Sequence, residues 1–173
     1  MNCASLKQIR IPKAVTIVGH RAFKGTQLES VEFPEDSQLQ TIGESAFYGT
    51  NLRSIQIPAN VTEIQYQAFA DCQQLESVVL PEGVVSIGSA AFAGCTALTE
   101  IVIPKSVTSI AENTFDLCSA LEKVKFEGVI PKDYVSSDPL LQAKDVHYTV
   151  YYHEGAATDF TSPEWARYPT EVW

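Results

Sequence analysis

The chain has 173 residues, 45% of them apolar, with a formal charge of −9 and a pI near 4.7. No apolar run approaches the roughly 18 residues that a membrane helix needs. Acidic residues are scattered and no Lys/Arg stripe forms, so the composition argues against membrane insertion, nucleic-acid binding and attraction to anionic lipid.

Met1-Asn2-Cys3-Ala4-Ser5 leads straight into a repeat, without the basic and apolar regions of a signal peptide. The chain opens in the middle of a unit, as a mature or excised fragment would, so the missing signal does not fix the compartment. The unit reads Cys-x-x-Leu-x-x-Ile-x-Ile-Pro-x-x-Val-x-x-Ile-Gly-x-x-Ala-Phe-x-Gly. Its cleanest copy runs from Cys95 through Leu98, Ile101, Ile103, Pro104, Val107 and Ile110 to Phe115. Pro12, Pro34, Pro58, Pro81 and Pro104 are spaced 22, 24, 23 and 23, and Phe23, Phe47, Phe69, Phe92 and Phe115 are spaced 24, 22, 23 and 23. Two extra residues between Glu35 and Leu39, and one-residue deletions after Gly25 and Gly49, explain the irregular steps; indels of this size belong in turns. A fixed period of this length predicts a β-rich repeat solenoid, because one unit alone buries too little apolar surface to fold.

Within each unit, Leu98-x-x-Ile101-x-Ile103 alternates like a strand with one buried face, and Pro104, which has no N–H, fits a corner. Val107-x-x-Ile110 is a second short extended segment. Gly19, Gly43 and Gly88 mark sharp turns, and Ala91-Phe92 and its equivalents form a turn or helical turn with the ring between coils. The pattern fails at Glu127, where a proline is due. The expected organisation is a solenoid over 1–127, about five and a half coils with the first truncated, then a degenerate last coil and aromatic cap over 128–173. Val146 to Tyr152 reads as a strand.

The Ile-Pro, Val-x-x-Ile-Gly, Ala-Phe-x-Gly-Cys and Leu-x-x-Ile run resembles the BspA-like branch of the leucine-rich repeat family, over about residues 3 to 127. The tail resembles C-terminal segments of bacterial members through Tyr151-Tyr152-His153-Glu154-Gly155, Ser162-Pro163-Glu164-Trp165 and Pro169-Thr170-Glu171-Val172-Trp173. Phe160 stands where those segments lead one to expect tryptophan. The resemblance implies leucine-rich repeat coils of 22–24 residues and an extracellular or cell-surface protein. It also implies a role in adhesion or in binding a protein partner such as a host or matrix protein.

Chemistry-bearing residues point away from catalysis. Cys3, Cys72, Cys95 and Cys118 share one column with Thr26 and Thr50, which favours small buried side chains over disulfides or a metal site. His153-Glu154-Gly155-Ala156-Ala157 lacks the second histidine of a zinc-protease motif. His20 and His147 are isolated, and no Ser/His/Asp set shares a column, so no enzyme, cofactor or metal site is expected. Asn60-Val61-Thr62 is a sequon whose Val61 belongs to the core pattern. The outward strand columns remain: Arg10, Glu32, Gln56, Val79, Val102 and Lys125, and beside them Gln8, Ser30, Ser54, Ser77, Glu100 and Lys123. Val79 and Val102 are expected to be adjacent and exposed, as a docking spot or as solvated strand residues. Tyr151, Tyr152, Trp165 and Trp173 are candidates for stacking on a glycan or for packing the cap. A structural spacer within a larger surface protein is the other functional alternative. The truncated first coil predicts end-to-end self-association.

Overall fold

A computed structural model describes residues 5–128 and 149–152 in full and residues 170–172 by their backbone. Among these residues there are thirteen strands and no helix. The coils alternate a first strand and a second strand: β1 (Gln8–Arg10) and β2 (Ile17–Val18), β3 (Ser30–Glu32) and β4 (Thr41–Ile42), β5 (Ser54–Gln56) and β6 (Glu63–Ile64), β7 (Ser77–Val79) and β8 (Ser86–Ile87), β9 (Glu100–Ile103) and β10 (Ser109–Ile110). β11 (Lys123–Phe126), β12 (Thr149–Tyr152) and β13 (Thr170–Val172) follow. Every pairing is parallel, as a coil wound in one direction requires.

The predicted columns form the core. Leu28, Leu52, Leu75, Leu98 and Leu121 are buried, as are Val18, Ile42, Ile64, Ile87 and Ile110. Each such side chain contributes about 1.5–3 kcal/mol of burial energy, but only once the next coil covers it. The five phenylalanine rings stack face to face, with centroids 5.3 to 6.0 Å apart and planes within 14°.

The segment carrying each phenylalanine is a run of overlapping turns that doubles as a ladder. Alternate N–H groups close turns inside the coil: Ala22 to Gly19, Lys24 to Arg21 and Thr26 to Phe23, each at 3.2 Å. The N–H groups between them bond the next coil: Arg21 to Glu44 at 2.9 Å, Phe23 to Ala46 at 2.8 Å and Gly25 to Tyr48 at 2.7 Å. The cross-coil set recurs at the next three steps, where Phe47, Phe69 and Phe92 donate to Ala68, Ala91 and Thr114. Aiming alternate N–H groups the same way requires left-handed backbone two residues before and two after each ring. Arg21, Ser45, Gln67, Ala90 and Asn113 have φ of 52 to 58° on the near side, and Gly25, Gly49, Asp71, Gly94 and Leu117 have φ of 57 to 72° on the far side. Glycine holds only three of these ten places, so the cross-coil bonds are formed against steric preference elsewhere.

The cysteines follow from the same segment. Cys72, Cys95 and Cys118 are buried free thiols whose Sγ atoms donate to the carbonyls of Phe47, Phe69 and Phe92 at 3.1 to 3.3 Å, one coil away. Burial pushes the Cys72 thiol up to about 11 and the Cys118 thiol up to about 12, and raises Cys95 well above its ordinary value. Cys3 lies outside the described residues.

The insertion after Pro34 is absorbed as a closed turn. The Ser37 N–H bonds the Pro34 carbonyl at 3.0 Å, the Ser37 Oγ accepts from the Leu39 N–H, and the Asn60 amide donates to the Ser37 carbonyl at 2.7 Å. Leu39 thereby regains the core and the second strands stay in register.

Candidate docking face and groove

The two strand columns pair differently. The second strands form one uninterrupted sheet, β10-β8-β6-β4-β2. The first strands fall into three sheets, β1-β3, β5-β7 and β9-β11-β12-β13. No ladder joins β3 to β5 or β7 to β9, although the strands remain neighbours.

The outward residues of the first strands divide accordingly. Arg10 and Glu32 are register partners and form an ion pair at 3.4 Å. Glu100 is in register with Lys123 but pairs diagonally with Lys125 at 3.0 Å. Gln56 lies directly opposite Val79, and Ser54 opposite Ser77, so the middle of the face is uncharged. Val79 is 56% exposed. Val102, expected to be exposed, is half-buried; it lies opposite Lys125, the next place in the expected column, while the ladder between β7 and β9 is open. Tyr151 and Tyr152 lie on β12, in register with Lys125 and Phe126, and are half-buried, so they continue the ladder. Trp165 and Trp173 lie outside the described residues.

At the break between β3 and β5 the surface opens into a groove of about 600 Å³, within the range of small ligand sites. Val31, Phe33, Ile57 and Val79 supply its apolar lining, and Pro34, Pro58 and Pro81 its rim. Sequence reasoning placed the neighbouring insertion in a turn but did not anticipate the groove. The available signal was the small Ala59 in a column otherwise filled by Lys13, Glu35, Glu82 and Lys105.

The turn side carries a second arrangement missing from the sequence reading. Asp71 occupies a left-handed place that glycine fills in three other coils, at φ 57°. Its carboxylate accepts a hydrogen bond from the Tyr48 hydroxyl one coil away, and this bond holds the phenolic proton and raises the Tyr48 pKa. The Lys24 Nζ sits 4.1 Å from the centre of the same ring. Gly94 completes the arrangement, since a Cβ there would collide with the Asp71 carboxylate. The strain at Asp71 is thus held in place by contacts on both sides.

Charge is layered at the first coils. Residues 1–25 contain Lys7, Arg10, Lys13, Arg21 and Lys24 and no Asp or Glu, whereas residues 26–50 contain Glu29, Glu32, Glu35, Asp36 and Glu44 and no Lys or Arg. Parallel register sets the two layers opposite one another, giving Lys7–Glu29 at 2.8 Å, Lys13–Asp36 at 3.1 Å and His20–Glu44 at 3.5 Å besides Arg10–Glu32. The hydrogen bond from Lys7 holds the Glu29 carboxyl below its ordinary range. Among the described residues no group of three metal-ligating side chains comes together, and no helix is long and apolar enough to cross a membrane.

The family model for the BspA type leucine rich repeat region matches residues 1–122 in six copies. No curated protein matches the chain in sequence. Among solved structures, the fold is similar to the T. pallidum leucine rich repeat protein TpLRR, with a TM-score of 0.68 and 24% identity over 85% of this chain and 73% of that one. It is also similar to the pneumococcal vaccine antigen PcpA, with a TM-score of 0.69 and 22% identity over 86% of this chain and 45% of that one. The chain therefore spans less than half of PcpA, and at these identities the likeness is one of fold.

Proposed function

Since the chain belongs to the BspA-type leucine-rich repeat family, we propose that it is a non-catalytic binding module of a secreted or surface-attached bacterial protein. Its docking side is the outward face of the first strands. The observation that carries this reading is the uncharged centre of that face. Ion pairs neutralise both ends, at Arg10–Glu32 and at Glu100–Lys125, while Ser54, Gln56, Ser77 and Val79 between them bring neither charge nor an ion-pair desolvation cost to an interface. The likeness to a vaccine antigen supports a surface location, and a host or matrix protein is the partner this reading favours.

The test is a binding panel of host matrix and serum proteins against the immobilised full chain. Val79→Glu should abolish the strongest interaction, while Leu117→Glu, an equally exposed change on the turn side, should leave it intact. A partner that binds both variants alike would remove the strand face from consideration.

A spacer role within a longer surface protein is the second reading, in keeping with the continuous second-strand sheet and stacked rings that join coil to coil. The half-buried Leu6, Ile9, Val15 and Phe23 at the first coil also support end-to-end association of this chain. Light scattering at high concentration tests this, and a purely monomeric profile would count against it.

A further inference from the structure

We propose that the groove at the break between β3 and β5 takes an extended peptide segment that sets an aliphatic or aromatic side chain beside an arginine or lysine. This rests on the strand side being the docking side, and it names the chemistry of the partner.

The apolar half of the argument comes from burial. Ile55, Ile57 and Val78 are buried in their coils, yet Val31 and Phe33, their counterparts on the other side of the break, are only half-buried. Continued pairing would have covered them. The apolar lining of the groove is therefore surface that the solenoid's own stacking leaves open, of a size to receive one or two side chains.

The charged half comes from the column that follows the corner prolines: Lys13, Glu35, Ala59, Glu82 and Lys105. Glu35 and Glu82 stand one coil to either side of Ala59, Glu35 in the lining of the groove and Glu82 next to the lining Pro81. Both are exposed, and among the described residues neither has an ion-pair partner. The cations in and beside the first strand are instead paired. Lys7, Arg10 and Lys13 each meet a carboxylate one coil away, and so does Lys125. A cation placed over the Ala59 methyl would face both carboxylates at once. The rim reinforces the sign. Pro34, Pro58 and Pro81 have no N–H to offer an anion, and the guanidinium of an arginine brings five donors for the Glu35 and Glu82 carboxylates. An acidic segment would meet the two carboxylates across a rim whose prolines offer it no N–H.

The test uses the full chain, isotopically labelled, and two synthetic peptides of leucine, proline, tyrosine and glycine that differ only in carrying arginine or glutamate at one central place. The arginine peptide should shift the amide signals of Phe33, Ile57 and Ala59 to saturation, and its glutamate twin should not. Binding should weaken strongly at about 1 M salt, where the Debye length is about 3 Å. The double variant Glu35→Gln/Glu82→Gln should weaken the arginine peptide about tenfold, equivalent to about 1.4 kcal/mol. Ala59→Arg, which supplies the cation from within, should abolish it, with the amide spectrum reporting retention of the fold. Equal binding of the two peptides, or binding of neither, overturns the proposal. Shifts at Ser54 and Ser77 without the groove residues also overturn it while leaving the strand face standing. Conversely, a protein partner indifferent to Val79→Glu overturns the strand-face reading whatever the peptides do.

Discussion

The second-strand side and the first-strand side of this solenoid are built from the same repeats, yet one is continuous and the other is divided. On the second-strand side the five-stranded sheet runs unbroken, and the phenylalanine turns beside it add three cross-coil hydrogen bonds at each of four steps. On the first-strand side the ladder stops twice. On the proposed reading, stability and recognition are thereby separated. The backbone bonds and stacked rings that join coil to coil persist on the side away from the proposed docking face. Half-buried apolar surface appears where pairing lapses. In a solenoid, where each coil touches only its neighbours, one lapsed ladder is tolerable because two others still span the step.

The contrast is most severely tested at Phe69, the middle ring of the stack, which is fully buried between Phe47 and Phe92. Phe69→Ala should cost about 3–5 kcal/mol in urea unfolding, and a markedly smaller loss would mean that the rings do not hold the continuous side together. Gly88→Ala comes next. Its Cβ would lie 2.7 Å from the Tyr66 nitrogen, so the coils must part, at a cost of about 1–3 kcal/mol read as a lowered Tm. Alkaline pH probes the same side. A thiol that stays protonated in the fold but ionises near 9 when unfolded contributes stability that is complete below about pH 9. That stability is lost as pH rises towards about 11 for Cys72 and about 12 for Cys118. The slope should be up to about 1.4 kcal/mol per pH unit for each thiol, and Cys72→Ala/Cys118→Ala should reduce it to the part that Cys95 supplies, whatever stability the variant loses at neutral pH. Val79→Ala should change stability by no more than about 0.5 kcal/mol, as for other exposed positions. A loss comparable to that of Phe69→Ala would erase the distinction between the sides.

Period, core columns, corner prolines and the buried free cysteines were legible in the sequence because each repeats and each follows from one-dimensional patterning. Gln8, Ser30, Ser54 and Ser77 were likewise placed on the outward face by alternation alone, and their register pairs match that column. The ladder breaks were not legible. They depend on how neighbouring coils are placed in space, which residue alternation does not encode: it put Val102 between Val79 and Lys125 in one column, and the ladder joins it to Lys125 alone. The insertion at Glu35 to Leu39 read correctly as a turn, but its position beside an open groove is a three-dimensional fact. Asp71 was hidden for a different reason: an aspartate in a glycine column looks like ordinary surface variation until its carboxylate is seen to hold Tyr48.

The alternating turn around each phenylalanine has an evolutionary consequence. Half of its amides close within their own coil and half reach the next, always between the same places in the repeat. Nothing in such a scheme records how many coils there are. A duplication or loss of one whole unit rejoins equivalent donors to equivalent acceptors and changes the reach of the protein by roughly 4.8 Å. Copy number can therefore change under selection for length alone, while the outward residues of the first strands change independently on the opposite side.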